Sequence, residues 1–155
     1  MSRWPKKRSA KTGLPPGSLV HIGDRLTEKT KITVLDYYGA NIKEKEISTV
    51  HECRQFKDSS TVKWIHINGI HDVQALEGIG TIFGLHPLTL EDIFNSDQRP
   101  KMEDFCQYAY IVLKAFHSDD NQANDIHPEQ ISIVLGPTFV ISFEKEEVVI
   151  NKVIL

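Results

Sequence analysis

A chain of 155 residues with 40% apolar and 25% charged side chains is long enough for one hydrophobic core, and its composition is not that of a disordered, fibrous or disulfide-dense protein. No run of roughly 18 apolar residues is present, so no segment reads as a membrane-spanning helix. Five of the 18 basic residues, Arg3, Lys6, Lys7, Arg8 and Lys11, sit at the start; the other 13 face 21 acidic residues, a formal charge of −8 that attracts cations and opposes nucleic acid.

Residues 1–17 read as a flexible basic tail on the cytoplasmic side. No apolar stretch comes after the cations as a secretory signal requires, and Gly13-Leu14-Pro15-Pro16-Gly17 is a string no helix can contain. One domain is expected over 18–155. Ser18–Ile22 and Thr30–Tyr37 are short and rich in β-branched residues, which predicts the first strands. Ile42–Ile47 alternates only weakly. It leads into Thr49-Val50-His51-Glu52, the spacing of a capping box, and Val50, Cys53 and Phe56 fall on one face of the short helix expected there. Val62–Asn68 alternates clearly and predicts a central strand with Trp64 packed in the sheet. From Asp72, apolar residues recur at helical spacing to Phe83, and Gly84 suits a left-handed C-terminal cap.

His86-Pro87 opens another helix, because proline in the first turn gives up no intrahelical hydrogen bond; it should end near Asn95. Asp97-Gln98-Arg99-Pro100-Lys101 reads as a polar connector. Three antiparallel strands come next, Tyr108–Phe116, Glu129–Leu135 and Phe139–Phe143. The polar string Asp119–Asp125 separates the first two, and Gly136-Pro137-Thr138 turns between the last two. Val148–Leu155 suits the opening of an amphipathic helix, and its abrupt end leads us to expect that the native polypeptide continues. Together these elements predict an α/β fold: a three-layer α/β/α sandwich with a mixed β-sheet, helices on both faces and an antiparallel meander in the last third.

Catalytic signatures are missing: there is no G-x-S-x-G elbow, no P-loop and no G-x-G-x-x-G after a strand, so an enzyme is not expected. Gly78-Ile79-Gly80 lies inside a helical pattern, where glycine allows close packing. Cys53 and Cys106 form no C-x-x-C pair and read as free thiols of a reducing compartment. His66, His71 and His86 have neither H-x-x-x-H nor H-E-x-x-H spacing and read as caps or packed side chains, not zinc ligands.

Several ordered strings carry a resemblance. Gly13-Leu14-Pro15-Pro16-Gly17, Trp64-Ile65-His66-Ile67-Asn68-Gly69-Ile70-His71, Gly84-Leu85-His86-Pro87-Leu88-Thr89-Leu90-Glu91-Asp92-Ile93 and Gln98-Arg99-Pro100-Lys101, with Tyr110–Lys114 and Glu129–Ser132 after them, resemble the CorA family of divalent cation transporters over nearly the whole chain. The resemblance implies the N-terminal cytoplasmic domain of a homopentameric magnesium channel at the cell membrane. Its stalk, two membrane helices and Gly-Met-Asn signature, which are missing from this sequence, would supply the attachment to the membrane and the pore. It also implies a regulatory divalent-cation site between subunits, for which Asp92 and Glu91 are the half present here. Mg2+ is then the regulatory ion, with Co2+ or another divalent ion as a substitute, and Arg99 and Lys101 are candidate subunit contacts. The alternatives are a zinc or cobalt transporter of the same architecture and a free-standing metal-binding or protein-interaction domain.

Mg2+ takes oxygen ligands in octahedral geometry and keeps several waters, so one or two carboxylates suffice for a weak site. Adjacent helical residues point roughly 100° apart, so Glu91 and Asp92 cannot easily share one ion and need a partner surface. The plainer alternative is that both acids offset the helix dipole, worth about 0.3–1 kcal/mol, and that Arg99 and Lys101 are solvated loop charges. Ion binding by the isolated chain is expected to be weak or absent.

Overall fold

The computed structural model describes residues 15–19, 30–119 and 122–145. Seven strands, β1 (Lys31–Tyr38), β2 (Asn41–Ile47), β3 (Lys63–Asn68), β4 (Lys101–Asp104), β5 (Ala109–Asp119), β6 (Gln122–Leu135) and β7 (Phe139–Glu144), form one mixed sheet in the order β2-β1-β3-β7-β6-β5-β4. Every neighbouring pair is antiparallel except β3 and β7, which run parallel. The expected meander is β5-β6-β7.

Alternation decides which side chains face the helices. The register aligns Ile32 with Ile67, Val34 with Ile65, Ile65 with Ile141 and Ile141 with Val134, so these residues share one face with Phe139, Phe143, Tyr110 and Val112. All of them are buried. Fully burying one such side chain contributes about 1.5–3 kcal/mol. Against this face lie α1 (Arg54–Lys57), preceded by a 3-10 turn at Val50–Cys53, and the helices α2 (Val73–Phe83) and α3 (Pro87–Phe94). Phe83 of α2 meets Phe139 of β7 with ring centroids 4.8 Å apart. The described helices all lie on this face; the second helical layer expected from the sequence is not among the described residues.

Local chemistry sets the helix ends. Asp72 Oδ1 accepts the Ala75 N–H at 3.1 Å, and Gly84 closes α2 in the left-handed region at φ 70°. Glu52 Oε1 accepts the Thr49 N–H at 3.1 Å, the reciprocal half of a capping box. Gly80 allows α2 to approach α3, since a Cβ there would lie 2.5 Å from Leu90 Cδ1.

Three expectations differ from the structure. Ser18 and Leu19 belong to no strand; a turn over 15–18 takes their place, and 20–22 lie outside the described residues. The polar connector ends one residue early, because Lys101 already opens β4, a strand that extends to Asp104. The polar string after Phe116 does not break the sheet, because β5 runs to Asp119 and β6 starts at Gln122. Residues 1–14 of the expected tail and the predicted Val148–Leu155 helix lie outside the described residues.

Candidate functional site

Helix α3 carries both acids singled out from the sequence. His86 caps it, its Nδ1 accepting the Leu88 N–H at 3.2 Å, Pro87 opens the first turn, and Asn95 closes it by donating its N–H to Glu91 O at 2.9 Å. Leu90 and Ile93 face the core, which sends Glu91 and Asp92 to the half-buried margins.

The two carboxylates go to different places. Glu91 Oε2 accepts the Gly17 N–H at 2.8 Å, pinning the 15–18 turn against the start of α3. Gly17 has φ 86°, and a Cβ there would lie 2.8 Å from Pro87 Cβ, so the turn fits only with glycine. Asp92 points to the sheet edge, where its Oδ2 lies 2.5 Å from Lys101 Nζ on β4.

Lys101 holds a second acid, Glu103 Oε1, at 3.1 Å, and its Nζ stands 5.6 Å from the centre of the Tyr110 ring. Partial burial works against the Lys101 ammonium, but the hydrogen bonds to Asp92 and Glu103 outweigh it and hold its pKa above the usual lysine value. Beneath this pair, Gln130 Nε2 donates to Asp92 O at 3.1 Å and its Oε1 accepts the Gln98 N–H at 2.9 Å. Lys114 Nζ donates to Ser96 O at 3.0 Å. The loop after α3 is therefore tied to β5 and β6. Arg99 lies exposed in that loop, outside these contacts.

Asp92 and Lys101 are thus brought together, whereas Glu91 and Arg99 stay apart from them. The sequence pattern does not single out Glu103, Gln130 or Lys114. The Lys101-x-Glu103 spacing places both side chains on one face of a strand, and that signal becomes readable only once β4 is recognised.

A second polar group lies on the other face of the sheet. The Trp64 indole N–H donates to Ser142 Oγ at 2.8 Å, Ser142 Oγ and His66 Nδ1 share a hydrogen bond at 2.9 Å, and His66 Nε2 stands 3.8 Å from Glu144 Oε2. Ser142, His66 and Glu144 are all buried, with Ser142 only 1% exposed. A hydroxyl so enclosed offers no approach to a substrate, and the line reads as packing chemistry. Among the described residues no group of three or more His, Cys, Asp or Glu side chains is placed to hold a metal ion, and no helix is long and apolar enough to cross a membrane.

Comparison with known proteins extends this picture. The family model described as "CorA-like Mg2+ transporter protein" matches residues 59–155. The cobalt/magnesium transport protein CorA of Thermotoga maritima is 43% identical over 141 residues, which make up 91% of this chain and 40% of that protein. Among solved structures, the soluble domain of CorA from Methanocaldococcus jannaschii matches 75% of this chain and 41% of its own at TM-score 0.51 and 14% identity. The ZntB cytoplasmic domain from Vibrio parahaemolyticus matches 78% of this chain and 46% of its own at TM-score 0.57 and 12% identity. The mixed sheet with its helices therefore has the fold of the soluble domains of CorA-type proteins. By the family match and the identity to the Thermotoga protein, the chain belongs to the CorA-like Mg2+ transporter family.

Proposed function

We propose that this chain is the cytoplasmic regulatory domain of a magnesium transporter, sensing divalent cations at contacts between neighbouring copies and not carrying them across the membrane itself. The 43% identity to a cobalt/magnesium transport protein is the observation that supports it most. Likeness of fold to a cytoplasmic domain supports the cytoplasmic placement. Mg2+ is the regulatory ion in this reading and Co2+ the second, as in the relative's name. Asp92 supplies one carboxylate, Glu91 stands one position away, and an adjacent copy in a homopentamer supplies the remaining ligands. Arg99 offers an exposed cation to an acidic neighbour. Catalysis has no part in the scheme.

At high concentration the ions bridge acidic faces of adjacent copies; on their loss the faces repel and the domains shift. The shift is set by the difference in ion affinity between the two arrangements. For this chain alone we expect a monomer or weak dimer with Mg2+ affinity on the order of millimolar at best, measured by sedimentation and magnesium titration. Tight binding to a monomer speaks against a site between copies. In the intact transporter, Asp92→Ala is expected to let uptake continue at Mg2+ levels that close the parent protein, and unchanged shut-off removes Asp92 from the scheme. A zinc or cobalt transporter of the same architecture is the second reading, decided by which ion the intact protein carries. A coding region without two hydrophobic segments and Gly-Met-Asn after Leu155 favours a free-standing binding domain.

A further inference from the structure

We infer that Lys101 is a tethered competitor for the divalent cation at Asp92, so that the strength of this ammonium–carboxylate pair sets the ion concentration at which the site fills. The inference rests on the cation reading of Asp92 given above. Lys101 Nζ stands 2.5 Å from Asp92 Oδ2, a direct charge-assisted hydrogen bond with no room for water or an ion between. Three groups fix the ammonium there: Asp92, Glu103 Oε1 at 3.1 Å and the Tyr110 ring. Lys101 and Glu103 lie two apart on β4, paired with Val112 and Tyr110 of β5, so both side chains leave the strand on the side where α3 packs.

An incoming Mg2+ must take the oxygen that the ammonium holds. Its apparent affinity is then reduced by the fraction of molecules in which Asp92 is already released. The displaced ammonium keeps Glu103, so the exchange leaves no cation without a counter-charge. Helix α3 has no need to move, because Gln130 still holds Asp92 O and Leu90 and Ile93 stay buried. Occupancy of Asp92 therefore changes by a swap of side-chain partners within a fixed backbone.

Magnesium chloride titrated at constant ionic strength into the intact transporter, where the adjacent copy completes the site, and followed by hydrogen exchange of α3 and β4, reads the dissociation constant without a screening artefact. Lys101→Met keeps the apolar stem and removes the charge; its dissociation constant is expected to fall at least about tenfold, the order that one competing charge-assisted hydrogen bond is worth. Lys101→Gln serves as a second neutral variant with the same expectation. Lys101→Arg keeps the charge and should bind no more tightly than the parent. Equal affinity in the parent and both neutral variants overturns the inference. In Lys101→Met/Asp92→Asn the gain should vanish; a gain that survives puts the ion elsewhere and removes the Asp92 reading itself. Loss of binding in Asp92→Asn alone, with no gain in Lys101→Met, keeps that reading and refutes the competitor.

Discussion

Lys63 sits on the core face of β3 and is 7% exposed, yet it is a lysine. Its Nζ pairs with Asp36, its cross-strand partner on β1, and with Thr61, whose Oγ1 accepts from Nζ at 2.7 Å and donates to Asp36 Oδ1 at 3.0 Å. The hydrogen bond from Lys63 is the chief reason the Asp36 carboxyl lies below its ordinary pKa, against the opposing effect of burial. A value lower in the folded than in the unfolded chain means stability that is present above the unfolded value, about 3.9, and lost as pH falls through the folded one. Calorimetric melting is therefore expected to lose stability below roughly pH 4, and Asp36→Asn to flatten part of that limb. The two thiols differ as sharply. Burial, with a smaller contribution from Glu52, pushes the Cys53 thiol up to about 12, whereas Cys106 is exposed. At about pH 8, near the ordinary thiol value, a thiol reagent should label Cys106 quickly and Cys53 only after unfolding; equal rates contradict the buried placement.

At the scale of elements, the close approach of α2 and α3 is the most sensitive joint. Gly80→Ala places a methyl 2.5 Å from Leu90 Cδ1. Overpacking costs about 1–3 kcal/mol, and the gain in helix propensity offsets about 1 kcal/mol. Urea denaturation is expected to show a net loss of about 1 kcal/mol, and a stabilised variant contradicts the packing. Helices α2 and α3 are legible because their caps and period of 3.6 are both written into consecutive residues. β4 is not: Lys101-Met102-Glu103-Asp104 holds one apolar residue and becomes a strand only by pairing with β5. The polar string 119–125 misleads for the same reason, since a backbone ladder between β5 and β6 needs no apolar side chains. β2 alternates weakly because six of its seven residues are exposed; the charges of Lys43 to Glu46 suit an edge that must not recruit another strand. Asp92 is recognisable as a candidate, but its pairing with Lys101 crosses the bend at Pro100, and Glu91 meets Gly17 across 74 positions, which no local pattern encodes.

The whole sheet is held together by a single seam. β1, β2 and β3 come from the first half of the described chain, β4 to β7 from the second, and only the parallel β3–β7 pair joins them within the sheet. Between Asn68 and Phe139 lie 70 residues, 69–138, including α2, α3 and three strands. Bringing the two strands into register therefore closes a long loop before any contact rewards it, and such pairings slow folding. The hairpins β1–β2 and β6–β7 and the adjacent helices α2 and α3 have only short loops to close. In stopped-flow refolding followed by Trp64 fluorescence, Ile141→Val at the seam should mainly speed unfolding and hardly slow folding, the pattern of a contact made after the barrier. A substitution with the opposite signature would make the seam part of the nucleus, and the order of assembly would run from the middle of the sheet outward.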